Sequence, residues 1–237
     1  MSPVERHPKG LYVLFFTEMW ERFSFYTVAA MYVLYVQDPA QGFAWTQDRA
    51  TSIYSTYLMF VYASPLIGGL IADRALGYRR SVMLGGFFFM AGHALLAFRS
   101  EPIMYAALTC LVIGNGFFKP NVSAMVGNLY PEGSHLKDRA YNIFYMGINV
   151  GAALAPIVAE VMSRTFGFHP AFFMGALGMM ISVTILWVFR RHVMAADRRP
   201  AKAPASAAAV AVDAPPPGVS GQTVRPIDAI PDWKRVA

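Results

Sequence analysis

Charge is what this sequence has least of. Only 14% of its 237 residues are Asp, Glu, Lys or Arg, against about a quarter in an ordinary soluble domain. With 56% of the residues hydrophobic, the composition points to an integral membrane protein whose partner is the lipid bilayer. Cysteine is as scarce. The single Cys110 stands in an apolar run, which excludes an intrachain disulfide and gives a redox role little support. Also lacking are a metal-ligand cluster, a nucleophile triad and a phosphate loop, so no enzyme activity, metal or cofactor is expected. Gly114-Asn115-Gly116 lies inside an apolar run, not after a strand. The first apolar run is no signal peptide, being too long, charged in its middle and without a small-residue cleavage site. Acids are outnumbered 14 to 20 by Lys and Arg, a net charge of +6. The bases gather in short connections between apolar runs, where membrane orientation explains them better than a nucleic-acid partner would.

What is present is a series of runs long enough to cross a bilayer. Residues 1–10 form a short polar leader, assigned to the cytoplasm. Six spans are expected at about 11–36, 50–72, 81–98, 102–129, 141–162 and 170–189, within a bundle reaching to residue 194. Alternate connections divide Lys and Arg unevenly. One side holds Arg6, Lys9, Arg74, Arg79, Arg80, Lys137, Arg139, Arg190, Arg191, Arg198, Arg199 and Lys202; the other holds Arg49, Arg99 and Arg164. That asymmetry places both termini in the cytoplasm, in a multi-pass protein of the inner or plasma membrane. From 195 to 237 the chain turns rich in Ala, Pro and Val, with Pro215-Pro216-Pro217. Such a segment cannot build a packed core and reads as a disordered, PPII-like linker or tail.

The first run carries Glu18, Glu21 and Arg22 near its middle, Arg22 about 16 Å along a helix that starts at Leu11. Charge at that depth is costly, and it marks a transport or proton pathway unless the helix lies on the membrane surface. Glu18, Arg22 and Tyr26 follow at i, i+4 and i+8 and share one face, with Glu21 about 60° away, so they can pair. Lys119 in the fourth run, Asn149 in the fifth and Tyr62 in the second fall about 14–16 Å from their own cytoplasmic ends. Taken singly, Asn149 reads as interhelical glue and Tyr62 as a packed aromatic. Taken together, two cations, two phenols and an amide at one depth suit an anionic or zwitterionic solute. Glu18 and Glu21 are the natural proton carriers, because whatever else occupies Arg22 alters their hold on a proton. Between the second and third runs, Gly69, Asp73, Arg74, Gly77 and Arg79 form a turn with a gating or structural role, Asp73 pairing with Arg74, Arg79 or a helix N-terminus. His93 has no acid in its own helix to make it a relay.

These residues carry a resemblance. Glu18-x-x-Glu21-Arg22-Phe23-x-Phe25-Tyr26 resembles the E-x-x-E-R-F-x-Y-Y signature of the proton-dependent oligopeptide transporter family, within the major facilitator superfamily, with Phe25 in place of the first tyrosine. Gly114-x-Gly116-x-x-Lys119-Pro120 is similar to its G-x-G-x-x-K-P pattern, and Phe144-Tyr145-x-x-Ile148-Asn149-x-Gly151 to its F-Y-x-x-I-N-x-G signature. The Asp73 turn is similar to the superfamily's loop between spans two and three. The resemblance covers residues 8–191 and implies an all-α, six-helix bundle, the N-terminal half of a twelve-span fold. It implies proton-coupled symport of di- and tripeptides, energised by the proton gradient without a cofactor. Glu18 and Glu21 would couple protons, Arg22 and Lys119 would bind the peptide carboxylate, and Tyr26, Tyr62 and Asn149 would line the pocket. A second six-helix half is then an expected partner. The alternatives are a non-transporting or regulatory protein that retains the half-site, a homo-oligomer supplying the second bundle, and a carrier of another anionic or zwitterionic solute.

Overall fold

The computed structural model describes residues 6–197. Its elements are α1 (Lys9–Gln37), α2 (Gln47–Ile71) running into a π-helical turn (Ala72–Leu76), α3 (Tyr78–Leu95), α4 (Glu101–Asn128), α5 (Leu136–Phe166) and α6 (Phe168–Val188), then two 3-10 turns, Arg190–His192 and Met194–Ala196. The six expected spans are all present. Among the described residues, four helices are long and apolar enough to cross a membrane: α2 with its π-turn, α4, α5 and α6. α1 falls short because ions occupy its middle, and α3 because it opens on Arg79 and Arg80. The fifth span was expected at 141–162, but the helix runs Leu136–Phe166, because its polar first turn, which hydropathy alone rejects, is still helical.

Local chemistry sets the boundaries. After α1, the Asp38 carboxylate accepts hydrogen bonds from the backbone N–H groups of Ala40 and Gln41 at 2.8 and 2.7 Å, folding the chain into a tight turn. Thr46 caps α2 by accepting from the Arg49 N–H at 3.4 Å. Gly77, at φ 77°, turns the chain from the π-helical turn into α3, a conformation that a side chain would strain.

α1 packs against α5 and α6, α4 packs against α2 and α3, and α3 joins α6. The two groups barely meet between α1 and α2 or between α4 and α5. The bundle is therefore two three-helix groups hinged along α3 and α6 and parted on the side of α1, α2, α4 and α5. Glycine permits the tightest approaches. A Cβ on Gly68 would strike the Gly116 carbonyl of α4, and one on Gly151 would strike the Met19 carbonyl of α1. Proline adds a second device. Pro65 cannot donate to the Val61 carbonyl one turn earlier, and Asn115 Nδ2 reaches across from α4 to donate to that oxygen at 2.6 Å. Between α1 and α6, Ser24 Oγ donates to the Gly175 carbonyl at 2.7 Å and Ser182 Oγ to the Thr17 carbonyl at 2.6 Å.

Two boundaries differ from those expected. Lys9 and Gly10, assigned to the leader, already belong to α1, and Gly10 is buried. Ala195, Ala196 and Asp197, assigned to the tail, are folded: Val193 and Ala196 are fully buried, and Asn128 Nδ2 donates to the Ala196 carbonyl at 3.2 Å. Apolar Val193 and Ala196 find a seat on the bundle that composition does not reveal. The remaining tail, including Pro215-Pro216-Pro217, and residues 1–5 of the leader lie outside the described residues.

Neighbouring glycines of one motif should respond differently to a methyl group. Gly68→Ala forces α2 away from α4 and should destabilise the protein by about 1–3 kcal/mol. Gly69→Ala meets only Pro120 at 3.7 Å, ordinary contact, and should be neutral or slightly stabilising. Thermal unfolding in detergent checks this, and equal effects would contradict the α2–α4 contact.

Candidate functional site

Arg22 is the centre of the site. Its residue is 4% exposed, beside Glu18 at 2% and Glu21 at 0%. The spacing favoured Glu18, one turn earlier on the same face. The structure instead gives the stronger pairing to Glu21. Arg22 Nη2 donates to Glu21 Oε1 at 2.5 Å and Nε to Oε2, a two-pronged fork, whereas Glu18 Oε1 stands 3.2 Å from Nε in an ion pair. The flexible side chains curl back and overcome the angular separation of adjacent residues, because a carboxylate and a guanidinium match edge to edge. Two atoms remain unengaged: Glu18 Oε2 has no hydrogen-bond partner, and Arg22 Nη1 makes none among the described residues. The Phe25 ring, where the family signature has a tyrosine, lies 5.0 Å from the guanidinium carbon as a cation–π partner.

Lys119, on α4, is half-buried with Nζ 5.6 Å from the centre of the Tyr62 ring of α2. Its charge is felt at both Glu18 and Glu21, so it lies within electrostatic reach of the ions on α1. Tyr62 is 69% exposed. Tyr26 interacts electrostatically with Arg22 and is partly exposed, its ring edge-on to Phe25. Asn149 is brought into no hydrogen bond among the described residues. It is exposed on α5, between Gly147 and Gly151 but on the side turned away from their contact with α1. The structure thus gathers Glu18, Glu21, Arg22 and Tyr26 on α1 and couples Lys119 with Tyr62 on the facing group, while Asn149 presents its amide on the exposed side of α5.

Sequence reasoning missed Tyr57. It is 5% exposed and lies within electrostatic reach of both Glu21 and Arg22, whereas Tyr62 accompanies Lys119. The only signal was one more tyrosine in an apolar run. His93 is fully buried, stacked on Phe89 with neither ring nitrogen hydrogen-bonded, and it faces the Gly175 backbone. It makes no contact with the ion cluster.

The turn after α2 is wired differently from expectation. Gly69 rests on Pro120. Arg79 pairs with Asp197 rather than Asp73: its N–H donates to Asp197 Oδ1 at 2.8 Å, and Nε lies 3.4 Å from Oδ2. Asp73 and Arg74 are both exposed. The chain after α6 returns beneath α3 and supplies the carboxylate that the local sequence was expected to provide.

Comparison with known proteins places this geometry. The model of the POT family matches residues 79–212, more than half of the chain. The chain belongs to the POT family. It is similar to the uncharacterized transporter YclF of Bacillus subtilis, 39% identical over 78% of this chain and 38% of the relative. It is also similar to the di-/tripeptide transporter of Lactococcus lactis subsp. cremoris, 38% identical over 81% of this chain and 40% of the relative. Among solved structures it resembles peptide transporter POT in complex with sulfate, with TM-score 0.79, 38% identity and coverage of 89% of this chain and 44% of that one. A POT family transporter in complex with 5-aminolevulinic acid gives TM-score 0.80 at 32% identity, covering 89% and 45%. The chain spans about two fifths of the length of the curated relatives it matches. Its six helices are the N-terminal half of a POT transporter fold.

Removing Arg22 leaves two buried carboxylates without a cation. Arg22→Ala should therefore cost about 3–5 kcal/mol, and adding Glu21→Gln should recover most of that loss. Denaturation of the single and double variants in detergent measures it; additive losses would contradict the pairing.

Proposed function

We propose that this bundle is the N-terminal half of a proton-coupled symporter of di- and tripeptides, working with a second six-helix body. The observation that carries the reading is the buried Arg22 forked by Glu21, with Lys119 across the parted side. A peptide carboxylate entering between the two cations competes with the glutamates for the guanidinium. A glutamate displaced from Arg22 keeps its burial and loses its counter-charge, so it takes up a proton. Peptide and proton then travel together, and a second body rocking against this one supplies alternating access. Glu18 and Glu21 serve as proton carriers. Arg22 and Lys119 hold the carboxylate, and Tyr26, Tyr57, Tyr62 and Asn149 line the way.

The known proteins support this charge class. One is named a di-/tripeptide transporter, and two solved relatives hold sulfate, an anion, and 5-aminolevulinic acid, a zwitterion. The Lys and Arg asymmetry supports cytoplasmic termini in the inner or plasma membrane, with the Asp73 turn and its Arg79–Asp197 pair as a structural brace on the cytoplasmic side.

The test uses the bundle joined to, or co-expressed with, its second half. Glu21→Gln should abolish gradient-driven accumulation of a dipeptide while leaving exchange of labelled for unlabelled peptide, and unchanged pH dependence would remove Glu21 from the mechanism. Lys119→Ala should weaken uptake of peptides with a free carboxylate by tenfold or more while sparing amidated ones. That factor corresponds to about 1.4 kcal/mol of lost charge-assisted binding. Equal loss for both would count against it.

A further inference from the structure

A groove of about 500 Å³ between the start of α1 and the end of α6 is used by nothing described above. Its mouth is basic, formed by Lys9 at the start of α1 and by Arg191 and His192 from the turn after α6. Lys9 and Arg191 are exposed and have no ion-pair partner among the described residues, and no carboxylate among those residues lines the groove. Farther in, the walls are Val13, Phe16, Ile185 and Phe189, with the Tyr12 ring beside them. Phe16 lies about 10 Å along α1 from Lys9, so the groove changes from cationic to hydrocarbon along the membrane normal. Just outside it, the Arg190 guanidinium carbon lies 5.1 Å from the centre of the exposed Trp187 ring. Such a pairing suits the boundary between headgroups and acyl chains.

We propose that this groove is a binding site for an anionic phospholipid, with Lys9 and Arg191 on the headgroup phosphate and the first acyl segment along Phe16 and Ile185. The inference rests on the membrane-spanning reading and on the orientation proposed above, which puts the groove in the cytoplasmic leaflet. Charge complementarity selects the headgroup: basic pockets between helices at the membrane surface hold anionic lipids. The apolar wall selects a lipid over a free phosphate, which would engage the mouth alone. It equally disfavours a peptide, whose backbone would find no polar partner along that wall.

Native mass spectrometry of the purified chain in neutral detergent tests the site, with phosphatidylglycerol and phosphatidylcholine as probes. The wild type should retain phosphatidylglycerol about tenfold more tightly than phosphatidylcholine, and Lys9→Gln with Arg191→Gln should abolish that preference. Lys9→Arg should preserve it, and Ile185→Trp, which fills the wall and leaves the cations, should weaken both lipids. Equal retention by the wild type and the double variant overturns the proposal, as does displacement of the lipid by glycerol 3-phosphate at matching concentration. Lipid retention is read without peptide, so a failure of peptide transport leaves it standing. A Lys9→Cys variant labelled only from outside the cell would overturn the leaflet assignment.

Discussion

A guanidinium buried beside two carboxylates at the centre of α1 is the constraint on which the rest depends. None of these groups is tolerable as a lone ion in a low-dielectric interior, and together they set one cation against two carboxyl groups. Lys119, on the facing group, brings a second cation within electrostatic reach of both carboxyl groups. Such a site is stable while closed on itself and responsive when another anion arrives. Its helix, in turn, must be wrapped: α5 and α6 cover α1 on the sides that lipid would otherwise touch.

The architecture keeps that site reachable. Glycine and serine fasten α1 to α5 and α6, while Gly68, Gly116 and the Asn115 bond to Val61 fasten α2 to α4. The contacts are strong within each three-helix group and along α3 and α6, and sparse between α1 and α2 and between α4 and α5. The ions on one group and Lys119 with Tyr62 on the other thus stand on either side of a sparsely packed seam. At the other extreme, the chain after α6 ties back to Arg79 and Asn128, bracing the start of α3 and the end of α4.

Much of this is legible in the sequence, and the remainder is hidden for definable reasons. Helix number follows from apolar run length, and the Glu18–Arg22 pair from i, i+4 spacing. The Glu21 fork does not follow from spacing, because it depends on how two flexible side chains bend once both are buried. Asn115 looks like a polar intruder until α4 lies on α2; the available clue was Pro65, which leaves the Val61 carbonyl without its helical donor. Asp197 was read as tail because composition is blind to a partner 118 residues away. Lys119 and Asn149 share a depth, yet depth says nothing of rotation about the helix axis: Lys119 is half-buried against the Tyr62 ring, and Asn149 is exposed.

The central proposal is that a carboxylate arriving at Arg22 displaces a glutamate, which then takes up a proton. The most direct measurement is proton uptake, followed with a pH indicator in weakly buffered solution, when a dipeptide binds the assembled two-half protein. The account predicts close to one proton taken up per peptide with a free carboxylate and almost none for the same peptide with its C-terminus amidated. Equal uptake for the two, or none for either, would contradict it.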